Sequence, residues 1–435
     1  MSRAEPKNIL IRAGRLLDPK SGTDAVCDVH LRHGKVEQIG PVGSLQTGDA
    51  QIIEAAGLWV APGLVDIHVH LREPGEEYKE DIASGCTAAV FGGYTTVVAM
   101  PNTRPVIDCA ELVHFVAQRG RDTGLCRVLP SAAVTVGQKG QKLAPFGELQ
   151  RAGAVALTDD GLPVANAALM RAALDYAKDF NIPVLTHAEE PDLSGGCHMH
   201  EGVVSTELGI RGAPRVAEDA AVARDILLAR YTSGHLHVCH VSTAAAVQLI
   251  RAAKADGVQV TGEATPHHFS LTDEAVRGFV TSAKMSPPLR EEADRLAVIE
   301  GLRDGSLDAI ATDHAPHSSI EKDVAFCDAA HGVLGLQSAV PLALDLWRQQ
   351  VLSPLQLIER LSYGPCRALR LPHGFLSCGA VADVTLIDPH APWIFSRECI
   401  VSRSHNSPFI GRSLTGRVVC TIFEGRVVYQ TPKPG

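Results

Sequence analysis

Gly63-Leu-Val-Asp-Ile-His-Val-His-Leu-Arg-Glu-Pro-Gly75 is a short apolar run that ends in two histidines spaced two residues apart. Side chains alternate faces along a strand, so His68 and His70 project to the same side. Two imidazoles held in parallel by backbone can chelate a borderline metal such as zinc. Arg72 follows at once, a fixed cation beside that pair. The plainer reading is two histidines that merely share one side of a strand, with Arg72 in a surface ion pair with Glu73 or Glu76. This stretch alone does not separate the two readings.

Outward from it, apolar strand-like runs alternate with helix-like segments. The pattern predicts strands at residues 64–68, 95–100, 127–133, 154–158, 183–187, 235–240, 259–263 and 308–312, with helices such as 166–179 and 217–230 between them. Continuous apolar strands alternating with helices imply a parallel sheet, and eight such units predict a closed (β/α)8 TIM-like barrel. A doubly wound open sheet is the alternative, but no glycine-rich dinucleotide turn follows the first strand. Residues 7–60 and 381–430 have another texture, of short strands and tight turns at His33-Gly34 and Glu424-Gly425. The expected division is therefore an α/β barrel over 59–370 and one small β domain built from both chain ends, 1–58 and 371–435. The loop 193–215, rich in glycine and without periodicity, reads as functional or as a simple excursion.

In such a barrel the chemistry sits where the strands end. Strand one ends in His68-x-His70, strand four runs into Asp159-Asp160, strand five ends at His187, strand six at His240 and strand eight at Asp313. Residues far apart in sequence thus converge on one rim, which favours a metal centre over packing. One zinc needs three or four protein ligands, so six candidates suit two ions sharing a carboxylate. Other histidines take plainer roles. His235 and His237 are expected to pack or face helices, and His267-His268 to line the rim. His198 and His200 are expected on a surface loop, and His30, His33, His373 and His405 in solvent. Cys239, beside His240, lacks a second cysteine to make a zinc site.

Composition sets the limits. The 435 residues are 45% hydrophobic and 20% charged, as in ordinary globular proteins. A net charge of −9 argues against nucleic acid or an anionic membrane as partner. The first residues lack a signal-peptide core, and no apolar run reaches the roughly 18 residues of a membrane span. Eleven scattered cysteines without a C-x-x-C pair suggest reduced thiols and a cytoplasmic protein.

These residues resemble the amidohydrolase superfamily. The segments His70-Leu-Arg-Glu-Pro-Gly75, Met100-Pro-Asn-Thr103, Thr158-Asp-Asp-Gly161, Pro287-Pro-Leu-Arg290, Ala311-Thr-Asp-His-Ala-Pro-His317, Asn406-Ser-Pro-Phe-Ile-Gly411 and Leu414-Thr-Gly-Arg-Val418 are similar to dihydroorotases of the long bacterial type. The resemblance implies a zinc-dependent cyclic amidohydrolase that interconverts L-dihydroorotate and N-carbamoyl-L-aspartate in pyrimidine biosynthesis. It assigns His68, His70 and Asp313 to one Zn2+ and His187 and His240 to a second, bridged by Asp160 and hydroxide. Many relatives carry a carbamylated lysine at that position, hydantoinases and allantoinases among them. Asp313 would act as general base and then acid, and Arg72, Asn102 and His317 would hold the substrate carboxylate. His70, Ser286, His331 and Gly332 would complete the substrate site. Ser286 stands where asparagine is expected, His331 where phenylalanine is, and Gln337-Ser338 where Glu-Thr is. The rival functions are another cyclic amidohydrolase (hydantoinase, dihydropyrimidinase or allantoinase) and a non-catalytic subunit that supports aspartate transcarbamoylase. A homodimer and an aspartate transcarbamoylase partner stay open at this stage.

Overall fold

Eight short parallel strands close into a ring in the computed structural model, which describes residues 7–431. The leading residues read above as lacking a signal-peptide core are partly outside this range. The ring strands are β1 (Leu64–Val69), β2 (Tyr94–Ala99), β3 (Arg127–Pro130), β4 (Leu157–Thr158), β5 (Val184–Thr186), β6 (Leu236–Val238), β7 (Val260–Ala264) and β8 (Ala309–Ile310). β1–β2–β3 form one parallel run and β4–β5–β6–β7–β8 another. Parallel bridges Ala132↔Leu157 and Val69↔His314 join the two runs. Val65, Val98, Leu185 and Ala309 belong to one buried cluster, and residues of β1, β2, β5 and β8 can meet only across the inside of a ring.

The strands are shorter than the sequence suggests. Residues 154–158 yield a two-residue β4, and 308–312 a two-residue β8. The apolar run continues past each ladder because the turns at the rim are buried as deeply as the strands. His240 and Asp313 thus stand in turns just beyond β6 and β8. The predicted helices fall within about two residues of Ala167–Ala177 and Val216–Thr232. Asn166 caps the first, its Oδ1 accepting from Ala168 N at 2.9 Å and Leu169 N at 3.1 Å.

Both chain ends build a second, mostly antiparallel sheet. Its order runs Arg426–Gln430, Ser413–Phe423, Val384–Ile394, Trp59–Pro62, Ile9–Asp18, Thr23–Arg32 and Lys35–Gly40. The two ends meet where Thr385 pairs with Ala61. His33-Gly34 and Glu424-Gly425 have positive φ at both positions, as a two-residue hairpin turn of the right twist requires. The segment 193–215 is not irregular. It holds the helix Val203–Leu208 and a parallel ladder between Met199–His200 and Gly212–Ala213. No helix among the described residues is long and apolar enough to cross a membrane.

Candidate metal centre and active site

Backbone strain marks the rim. Arg72, His240 and Asp313 have φ of 59°, 34° and 47°, a region that costs a non-glycine residue about 1–3 kcal/mol. Each bend is held from several sides. Thr312 N donates to Asp66 Oδ1 (3.1 Å) and Thr312 Oγ1 to Asp66 Oδ2 (2.5 Å). His70 N donates to His314 O (2.9 Å), so the β8 turn is tied to β1.

The side chains so placed converge. His68 Nε2 lies 3.2 Å from Asp160 Oδ1 and 3.6 Å from Asp313 Oδ1, and His70 Nε2 lies 3.0 Å from Asp313 Oδ1. His240 Nε2 is 3.7 Å and His187 Nδ1 4.0 Å from Asp160 Oδ1. Asp160 faces both histidine groups, whereas Asp159 turns away and accepts from Thr135 N (3.0 Å) and Thr135 Oγ1. Among the described residues three sets of donors lie close enough to share an ion: His68, Asp160 and His240; His68, His70 and Asp313; and His68, Cys239 and Glu263.

A cation fits these residues. His68 Nε2 and Asp160 Oδ1 are buried and lack a hydrogen-bond partner, a costly state that a bound ion would relieve. Burial works against a charge on His68, yet Asp160, Glu263 and Asp313 together push its pKa well above the ordinary value. The same field attracts a metal. His70 Nδ1 faces Asn102 Oδ1 at 3.0 Å and His187 Nε2 faces Glu189 Oε2 at 3.6 Å, which turns the opposite ring nitrogens inward, His70 Nε2 to Asp313 (3.0 Å) and His187 Nδ1 to His240 Nε2 (2.9 Å). Cys239 also lies near His68, but burial pushes its thiol far up, so it stays neutral and a poor ligand.

A cavity of about 410 Å³ opens above these groups. His70, Asp160, His187, His240 and Asp313 form its floor, and Arg72, Asn102, Ser286, His317, His331 and Gly332 its walls. His68 lies below, fully buried. Arg72 is no surface residue. Its Nε donates to Pro316 O (3.2 Å), while Glu73 pairs with Arg119 (2.7 Å) and Glu76 with Lys79 (3.1 Å). Burial, reinforced by Arg72, drops the His317 pKa to about 2. His317 is therefore neutral, and its Nε2 accepts from Arg72 Nη2 at 3.3 Å. Asn102 does more than line the wall: besides facing His70, its Nδ2 donates to Asp160 O at 3.3 Å. Gly332 has φ 145°, and a Cβ there would sit 2.8 Å from Ala315 Cβ and 2.9 Å from His317 Cδ2.

Several plain histidine readings are overturned. His200 is fully buried, accepting from Arg290 Nη1 at 3.3 Å, because the 193–215 segment folds back under the rim. His30 is buried against Asn8 Oδ1 at 2.6 Å. His237, expected to pack or face helices, packs in the barrel interior 3.1 Å from Glu263 Oε2. His198 is half-buried beside Lys284 Nζ (3.4 Å), and His373 and His405 are half-buried too. Sequence reasoning gave no role to Glu263, Glu189 or Asn406. Glu263 could have been noticed as another carboxylate near a predicted strand end. Asn406 stood in a quoted motif, but nothing local to it reveals its partners.

Comparison with known proteins places the chain. Residues 57–246 match the family described as dihydro-orotase-like. A dihydroorotase of Pelobacter propionicus is 53% identical over 423 residues, covering 97% of this chain and 100% of the relative. One of Syntrophobacter fumaroxidans is 50% identical over 430 residues, 98% of each. Among solved structures, the L-hydantoinase (dihydropyrimidinase) of Arthrobacter aurescens aligns at a TM-score of 0.85 and 23% identity, over 98% of this chain and 96% of that one. The dihydropyrimidinase of Brevibacillus agri aligns at 0.83 and 24%, over 97% and 95%. These structures share the barrel and its β domain. With half its residues identical to such relatives over nearly its whole length, the chain belongs to the dihydroorotase family.

Proposed function

We propose that this protein is a zinc-dependent dihydroorotase that interconverts L-dihydroorotate and N-carbamoyl-L-aspartate in pyrimidine biosynthesis. The observation that carries this reading is Arg72, buried at the wall of a cavity floored by imidazoles and carboxylates. A buried guanidinium beside a neutral histidine suits a carboxylate-bearing ring. Hydantoin and allantoin carry no carboxylate and would leave that charge uncompensated.

His68, His70 and Asp313 would hold one zinc and His187 and His240 a second, with Asp160 shared. When bound, zinc supplies carbonyl polarisation and activation of water near neutral pH. The chain's own groups do the rest. Arg72 and His317 anchor the carboxylate and so fix which ring bond faces the floor, with Asn102 alongside. Asp313 reaches the cavity, and although burial opposes its ionised form, the adjoining His68 and His70 hold its carboxyl below the ordinary range. It takes a proton from the attacking water and returns it to the departing ring nitrogen, and the reverse order serves ring closure. Backbone at His331 and Gly332 and the hydroxyl of Ser286 contact the ureide edge.

The protein would act in the cytoplasm. A homodimer and an aspartate transcarbamoylase partner are compatible with the family, but no feature of the site requires either. The test is an assay of dihydroorotate, hydantoin and allantoin on one sample whose metal content is measured. Turnover of dihydroorotate well above the other two is expected. Zinc-replete protein inactive on dihydroorotate refutes the proposal.

A further inference from the structure

Below the cavity, one carboxylate touches both halves of the metal centre. Glu263 lies in β7, fully buried, 195 residues from His68 in sequence. Its Oε1 is 2.7 Å from His68 Nδ1 and accepts from the backbone N of His240 at 3.2 Å. Its Oε2 is 3.1 Å from His237 Nε2, and His237 Nδ1 lies 2.8 Å from Thr261 Oγ1. Every contact matters, because an unpaired carboxylate buried this deeply would cost several kcal/mol (roughly, from ion desolvation).

We infer that Glu263 is a positioning residue for the metal centre, fixing His68 by its ring and His240 by its backbone. A carboxylate on Nδ1 makes that nitrogen the proton carrier and turns the unprotonated Nε2 toward Asp160 and Asp313. The bond to His240 N acts differently. His240 sits at φ 34°, a strained turn that persists only when its surroundings impose it. Glu263 supplies part of that restraint. One side chain therefore sets the ring orientation of a donor from β1 and the backbone pose of a donor beyond β6. His237 and Thr261 hold Glu263 in turn, so His237, expected from sequence to pack or face helices, serves as a prop for this arrangement.

The inference rests on the metal-centre reading above but not on the substrate, so the test uses the metal alone. Metal-free protein is titrated with Co2+, following its visible absorption, and the thermal midpoint of the metal-free form is recorded beside it. For Glu263→Gln, which keeps the shape and removes the charge, Co2+ affinity should fall about 10- to 100-fold, the usual effect of losing such a partner. The Co2+ absorption should also change, with the metal-free midpoint kept. Glu263→Asp retains the charge but withdraws it by one methylene, and should show a smaller loss in the same direction. A folded Glu263→Gln protein with wild-type affinity and spectrum overturns the assignment. So does an affinity loss that merely tracks a lowered midpoint, since a purely structural residue behaves that way. If Glu263→Gln does not fold, the Asp variant decides alone by the same two readings. Wild-type protein that binds no Co2+ refutes the metal centre itself, a distinct outcome.

Discussion

Arg72 and Asp313 line one cavity, Arg72 in its wall and Asp313 in its floor, and these places separate binding from chemistry. Arg72→Met keeps much of the side chain's bulk and removes the fork that meets a carboxylate. A hydrogen bond to a charged group contributes about 1.5–3 kcal/mol, so KM for dihydroorotate should rise by about 10- to 100-fold. The catalytic constant should change less, and unchanged KM would remove Arg72 from the substrate site. Asp313→Ala should act on kcat instead. Losing a general acid–base group costs about 100- to 10,000-fold, while His187, His240 and Asp160 still retain some metal. A kcat within tenfold of wild type would show that another group moves the proton. The sequence marked both residues through strand-end position and resemblance. It could not show that Glu73 and Glu76 have other partners, which leaves Arg72 facing the cavity.

The turns beyond β8 depend on a segment from near the chain's end. Asn406 Nδ2 donates to Ala315 O (2.9 Å) and Gly332 O (3.1 Å), and its Oδ1 accepts from His317 N (3.0 Å). One amide thus ties the walls formed by His317 and Gly332. Asn406→Ala leaves three buried backbone groups without that partner, a penalty of about 1–3 kcal/mol for each group that water cannot reach. We expect a lower thermal midpoint and a KM raised several-fold at unchanged metal content. An unaltered KM in folded protein would limit Asn406 to stability. The loop 193–215 teaches a related lesson. Its glycines and lack of periodicity left a functional loop and a simple excursion both open, and His200 is buried there against Arg290. Short ladders such as Met199–His200 with Gly212–Ala213 leave almost no periodic trace, because two residues cannot display a period.

Across the whole molecule, burial of neutral histidines couples stability to acid. The His200 pKa is lowered to about 4 by burial and then by Arg290 and Arg215. Between about pH 6.5 and 4 the unfolded chain binds a proton there that the folded chain does not. Stability therefore falls as pH drops through that window and is independent of this group above it. The slope for one such histidine is at most about 1.4 kcal/mol per pH unit. Urea midpoints should fall between pH 7.5 and pH 5, and less steeply in His200→Asn. Parallel slopes in both proteins would show that His200 does not titrate this way.

The sequence by itself determined the eight-strand alternation, the β domain drawn from both ends and the residues gathered at the rim. Those features are local, since strand periodicity and strand-end position are written within a few residues of each group. Tertiary structure decided the rest. It turned Asp159 toward Thr135, placed His237 in the interior, and set Glu263 beneath His68 and Asn406 behind His317. Each of these outcomes is a contact across the ring or between its turns, between residues as much as 195 positions apart. Such contacts depend on ring closure and turn geometry, and no periodicity along the chain encodes them.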